Sequence, residues 1–92
     1  MNYSIETLDP IREAAAALLT IGQIADLIGV DYDQLKLDIQ NKNSHASRAY
    51  YAGKAQTLLK LRQQNVEIAL KGSPQAALQL EEYLLEMNCD EL

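Results

Sequence analysis

The chain has 92 residues, 48% of them hydrophobic, with one cysteine, no tryptophan or phenylalanine, and a formal net charge of −5. That length allows one small domain with a modest core, the alanine- and leucine-rich composition favours an all-α chain, and the lone Cys89 excludes an internal disulfide and fits a reducing cytoplasm. The first residues lack the basic start and apolar run of a signal peptide, and the most apolar stretch, residues 14–30, is broken by Gln23 and Asp26, so no membrane span is expected.

In chain order, residues 1–8 have no clear periodicity and are expected to be frayed or draped on the surface. Asp9-Pro10 then reads as N-cap and first helical residue, opening a helix over 10–19 that buries Ile11, Ala14, Ala15, Leu18 and Leu19. Thr20 with Gln23 makes a capping box for a second helix, in which Ile21, Ile24, Ala25, Leu27 and Ile28 recur at helical spacing. Gly29 suits the left-handed residue that ends it. Asp31 with Gln34 repeats the cap for a third helix to residue 40, with Leu35 and Ile39 as its inner face. Two short capped helices around a glycine turn match a helix-turn-helix, whose second helix would enter a DNA major groove. An ordinary helical hairpin reads the same way.

Residues 41–45 are polar and turn-rich and predict a loop. A long helix is expected over about 44–71, with an apolar arc roughly 200° wide. Tyr51, Leu58 and Ala69 lie near its middle, flanked by Tyr50, Leu61 and Ile68 and by Leu59, Val66 and Leu70. One neighbouring helix covers only about half of such an arc. Arg62 falls inside it and is expected to form a buried ion pair with Glu81, Glu82 or Glu86. Gly72-Ser73-Pro74 supplies a C-terminal stop, an N-cap and a first helical residue. A last helix over 74–87 then has one face of Ala76, Ala77, Leu80, Tyr83, Leu84 and Met87 and a second of Leu78 and Leu85. The short connection makes the last two helices an antiparallel hairpin. The expected architecture is therefore all-α: a three-helix helix-turn-helix unit over 1–43, then a helical hairpin over 44–92 for oligomerisation through Tyr51, Leu58, Leu61, Ile68, Leu78 and Leu85.

Charge is uneven. Residues 1–43 carry −4, residues 44–72 carry +4 and residues 73–92 carry −5, so the basic middle and the acidic tail are expected to pair, within or between chains. Asp31, Asp33 and Asp38 lack EF-hand spacing, His45 stands without cysteine neighbours, and Cys89 lies among acids. Neither a metal, a cofactor nor an enzyme is expected from them.

Residues 50–86, YYAGKAQTLLKLRQQNVEIALKGSPQAALQLEEYLLE, resemble the second half of phage terminase small subunits and related prophage proteins. The resemblance rests on Tyr51 before Gly53-Lys54-Ala55, on Leu61-Arg62, and on Ala69 ahead of Gly72-Ser73 and an alanine-rich helix. Residues 20–40 stand where that family has its helix-turn-helix, and the likeness spans about residues 10–88. It implies a cytoplasmic, non-catalytic protein of a bacterial host or prophage. Such a protein recognises viral DNA for packaging, forms homo-oligomeric rings through a helical hairpin, and delivers DNA to a separate large subunit. The chain departs from the family in its acidic recognition helix, with Asp31, Asp33 and Asp38, and in ending just after the hairpin.

On the third helix, Gln34, Gln40 and Asn41 suit adenine edges and Leu37 a thymine methyl, whereas Asp33 would repel phosphate. Lys36, Lys42 and Arg48, with Arg12, are the available phosphate contacts. Two further readings fit the same residues. One is a protein-interaction and assembly module with a vestigial helix-turn-helix, suggested by the acidic helix and by Leu37. The other is a transcriptional regulator of a mobile element.

Overall fold

The computed structural model describes residues 5–91. They form five helices and no strand: α1 (Ile5–Ala16), α2 (Ile21–Ile28), α3 (Tyr32–Gln40), α4 (His45–Leu70) and α5 (Pro74–Glu91). The chain divides into two compact units, residues 1–58 and 59–92. The boundary expected from the sequence is 43/44. The first part of α4 instead belongs with α1 to α3.

The start of α1 corrects an expectation. Pro10 lies inside the helix rather than at its first position, and residues 5–8, expected to be frayed, are helical; residues 1–4 lie outside the described residues. A proline there forfeits one backbone bond to the preceding turn. Leu8 offsets this loss, because it packs against the core from the turn before Ile11. Asp9 is consequently no cap, and its carboxylate accepts from the Arg12 guanidinium at 3.1 Å.

The other end of α1 also differs. The helix stops at Ala16 instead of running to Leu19. Leu18 N–H donates to Ala15 O at 2.9 Å and Leu19 N–H to Ala14 O at 3.1 Å. That is a Schellman closure with leucine in the left-handed position, φ 65°. Leu18 therefore points out of the fold at 56% exposure, while Leu19 is half-buried against the core.

The caps of α2 form as the sequence predicts. Gln23 N–H donates to Thr20 Oγ1 at 3.1 Å, and Thr20 N–H to Gln23 Oε1 at 2.9 Å. Gly29 closes the helix at φ 74°, ψ 35°. Asp31 caps α3 by accepting from Gln34 N–H at 3.1 Å, but the reciprocal bond is replaced. Gln34 Nε2 donates to Asp38 Oδ1 instead, at 3.1 Å. Ser44 then ties the corner: its hydroxyl donates to Asp38 O and accepts from Ser47 N–H, starting α4.

The core of the first unit is small and alanine-rich. Ile11, Ala14, Ala15, Ile24, Ala25, Leu35, Ile39, Ala46 and Ala49 are all buried in one cluster. Alanine lets the helices approach closely, and α4 meets α1 closely at Gly53. A Cβ there would stand 2.1 Å from Arg12 O and 3.1 Å from Ala16 N. One turn later the Thr57 hydroxyl donates to Ala16 O, satisfying a carbonyl that the end of α1 leaves orphaned.

In the second unit, Gly72 (φ 101°) ends α4, with Ser73 N–H donating to Ile68 O at 3.3 Å. Ser73 Oγ accepts from Ala76 N–H at 3.3 Å and starts α5, as its sequence predicts. The ladder between the helices is polar. Arg62 lies 4.2 Å from the Tyr83 ring centre and donates to Glu86 Oε2 at 2.8 Å; Asn65 Nδ2 donates to the Tyr83 hydroxyl at 2.7 Å. Moving forward from Arg62 to Asn65 moves the partner back from Glu86 to Tyr83, so the two helices run antiparallel. The expected ion pair is present but is not buried, because Glu86 stays in solvent. Since Arg62, Asn65, Ala69, Leu80 and Tyr83 face the seam, Ala77, Leu84 and Met87, expected on the inner face, are exposed with Leu59 and Ile68. Among the described residues no helix is long and apolar enough to cross a membrane.

Candidate nucleic-acid interface

α3 is held by its inner face and by both ends. Leu35 and Ile39, one turn apart, are fully buried, which fixes the rotation of the helix because burying both stabilises only one orientation. The opposite surface follows from that rotation. Asp33, Lys36, Leu37 and Gln40 are exposed, and so are Asn41, Lys42 and Arg48 beyond the helix end. Leu37 is 62% exposed.

The predicted interface residues differ in their availability. Lys36, Leu37 and Gln40 share one helix surface, with Lys36 Nζ 5.8 Å from the Tyr32 ring centre. Gln34 is half-buried and committed to Asp38, so it is less able to reach a base than its sequence position implies. Asn41 Oδ1 accepts from Asn43 N–H at 3.2 Å, an Asx turn that leaves the side-chain amide donors outward. Lys42 and Arg48 lie together at the start of α4, where they line a shallow depression with Ser47 and Tyr51. Arg12, a further expected phosphate contact, is paired with Asp9 instead.

The residues expected to drive oligomerisation fall in both units. Tyr51 and Leu58 are in the first, Tyr51 with its ring edge-on to Tyr50 at 5.1 Å between centres. Leu61, Ile68, Leu78 and Leu85 are in the second and are exposed. Leu27, one of the apolar residues that recur at helical spacing in α2, is 64% exposed.

The structure adds residues that the sequence reading passed over. Ser47 is a buried serine in the first turn of α4. Gly53 and Thr57 set the crossing with α1. A signal for Gly53 and Thr57 was present: with Ala46 and Ala49 they recur at helical spacing, which marks a close helix contact. Asp31 and Asp38 are accounted for by helix capping and by the Gln34 bond. Among the described residues no three of His, Cys, Asp and Glu gather where they would hold a metal ion. Compared with protein-family models, with curated proteins and with solved structures, the chain has no match.

Proposed function

We propose that this chain is a non-catalytic DNA-binding protein resembling a phage terminase small subunit. It acts in the cytoplasm of a bacterial host, as a homo-oligomer, and hands DNA to a separate large subunit. One observation carries the DNA reading: α3 is anchored by Leu35 and Ile39 with Lys36, Leu37 and Gln40 facing outward from a doubly capped turn. In this reading Gln40 and Asn41 bond adenine edges, Leu37 touches a thymine methyl, and Lys36, Lys42 and Arg48 neutralise phosphates. Asp33 opposes them. Binding by each subunit is therefore weak, and tethering several subunits on one duplex multiplies it.

The test is duplex binding as salt is raised. Three neutralised phosphates per subunit should weaken affinity about 40-fold between roughly 50 and roughly 200 mM salt. Lys36→Gln should lower the salt slope by about one. No binding at the lowest salt would defeat the reading.

The exposed leucines at 27 and 37 favour a second reading, a protein-interaction module built on a helix-turn-helix scaffold. Under it, Leu37→Asp abolishes capture of a partner protein and leaves DNA affinity unchanged. Under the first, the same change adds an acid facing phosphate and weakens DNA binding.

A further inference from the structure

Where the loop after α3 meets the first turn of α4, the surface sinks into a depression lined by Lys42, Ser47, Arg48 and Tyr51. Two cations, a hydroxyl and a phenol surround it, and none of these lining residues is acidic. In a chain of net charge −5 that is a local reversal of sign.

Ser47 is the unusual member. It is 2% exposed, and the opening it keeps is onto this depression. Its backbone N–H is already given to Ser44 Oγ, and its hydroxyl, which makes no hydrogen bond to a described residue, is not sealed away as a buried orphan but opens onto the depression. A serine between Ala46 and Ala49 contributes less to a helix than alanine would. An acceptor oxygen entering from the depression would replace water on its hydroxyl.

The third observation is position. Ser47 stands in the first turn of a 26-residue helix, where unpaired amides and the helix dipole favour negative charge. Lys42 precedes that turn and Arg48 lies within it.

From these three observations we infer that the depression binds a phosphate group. Ser47 Oγ donates to one phosphate oxygen, Lys42 and Arg48 flank the others, and the Tyr51 hydroxyl closes the rim. A tetrahedral dianion or monoanion suits donors arriving from several directions better than a planar carboxylate does. The site shares Lys42 and Arg48 with the proposed DNA surface but does not require α3 to read bases. The phosphate is either a diester of a nucleic-acid backbone or a free phosphate.

The test titrates the full-length, nitrogen-15-labelled chain with inorganic phosphate at constant ionic strength, with chloride as the balancing anion. Saturable shifts of the backbone amides at positions 45–48 are expected. Ser47→Ala loses no bond within the fold, so it should fold normally and weaken phosphate binding about tenfold. Arg48→Gln should do the same, and Lys54→Gln, outside the depression, should change nothing. Shifts that never saturate, or a Ser47→Ala protein that binds as the parent does, would overturn the site.

Adding a short duplex identifies the source. If the duplex displaces phosphate and its own affinity falls in Ser47→Ala, the ligand is a nucleic-acid backbone. If phosphate saturates the site while no duplex binds, the site stands for free phosphate and the DNA reading fails. Duplex binding that ignores Ser47→Ala, without saturable phosphate binding, keeps the DNA reading and removes this site.

Discussion

Leu18 occupies a left-handed backbone position, φ 65°, that glycine fills at little cost. For an L-residue with a side chain the conformation costs roughly 1–2 kcal/mol, whereas glycine gives back about 0.5–1 kcal/mol in lost chain entropy. The side chain is 56% exposed, so its removal forfeits little burial. Leu18→Gly should therefore raise stability by about 0.5–1 kcal/mol in urea unfolding; a lower midpoint would mean that this leucine packs in the assembled protein. Gly53 presents the opposite balance. Alanine would gain about 1 kcal/mol of helix propensity, but its Cβ would stand 2.1 Å from Arg12 O. The obstruction is backbone, so α1 as a whole must move. Overpacking of this kind costs about 1–3 kcal/mol or more, and Gly53→Ala should be net destabilising, with a lowered midpoint and faster amide exchange in α1.

At the scale of the helix, the capping box holds the start of α2 and therefore the turn that presents α3. Thr20→Ala removes the acceptor for Gln23 N–H and should cost about 1 kcal/mol, with faster amide exchange in the first turn of α2 than elsewhere. Exchange unchanged there would show that packing of Ile24 and Ala25 alone sets the helix start. The caps were legible in the sequence because each depends on residues close along the chain. Thr20 with Gln23, Gly29, Asp31, and Gly72-Ser73-Pro74 all belong to this class. The two faces of α3 were legible for the same reason: Leu35 and Ile39 lie one turn apart. The local rule fails at Pro10, since Leu8 in the turn before it packs against the core and carries α1 through the proline. Gly53, Thr57 and Ser47 depend on a partner helix or a buried environment, and the Thr57 bond to Ala16 spans 41 positions. Spacing marks Gly53 and Thr57 as small residues on one face without saying what they touch, and marks nothing at Ser47.

For the whole molecule, the question is what covers the apolar surface of the second unit. Its seam is filled by Arg62 on Tyr83 and by Asn65 on the Tyr83 hydroxyl, so the leucines that would ordinarily fill a hairpin are displaced outward. Leu59, Leu61, Ile68, Leu78 and Leu85 are all exposed, the last two at 62%. Fully burying one leucine side chain is worth about 1.5–3 kcal/mol, which makes a set this size a strong drive to associate. The occupant proposed here is another copy of the chain. The acids of α5 (Glu81, Glu82, Glu86, Asp90 and Glu91) have Lys60 on α4 and Lys71 just past its end as opposite charges on a second copy. Such rim charges set register more than affinity. Light scattering of the full chain should give a mass above 10.3 kDa that falls toward that value on dilution. Leu78→Asp with Leu85→Asp should yield a monomer with an unchanged helical circular-dichroism spectrum, because neither side chain contributes to the seam. If the proposed DNA reading also holds, the same double variant should lose duplex affinity while every α3 residue stays intact, since each subunit binds weakly alone. A parent chain that remains at 10.3 kDa at high concentration would leave the exposed leucines to a different partner and remove the multivalent element from the DNA mechanism.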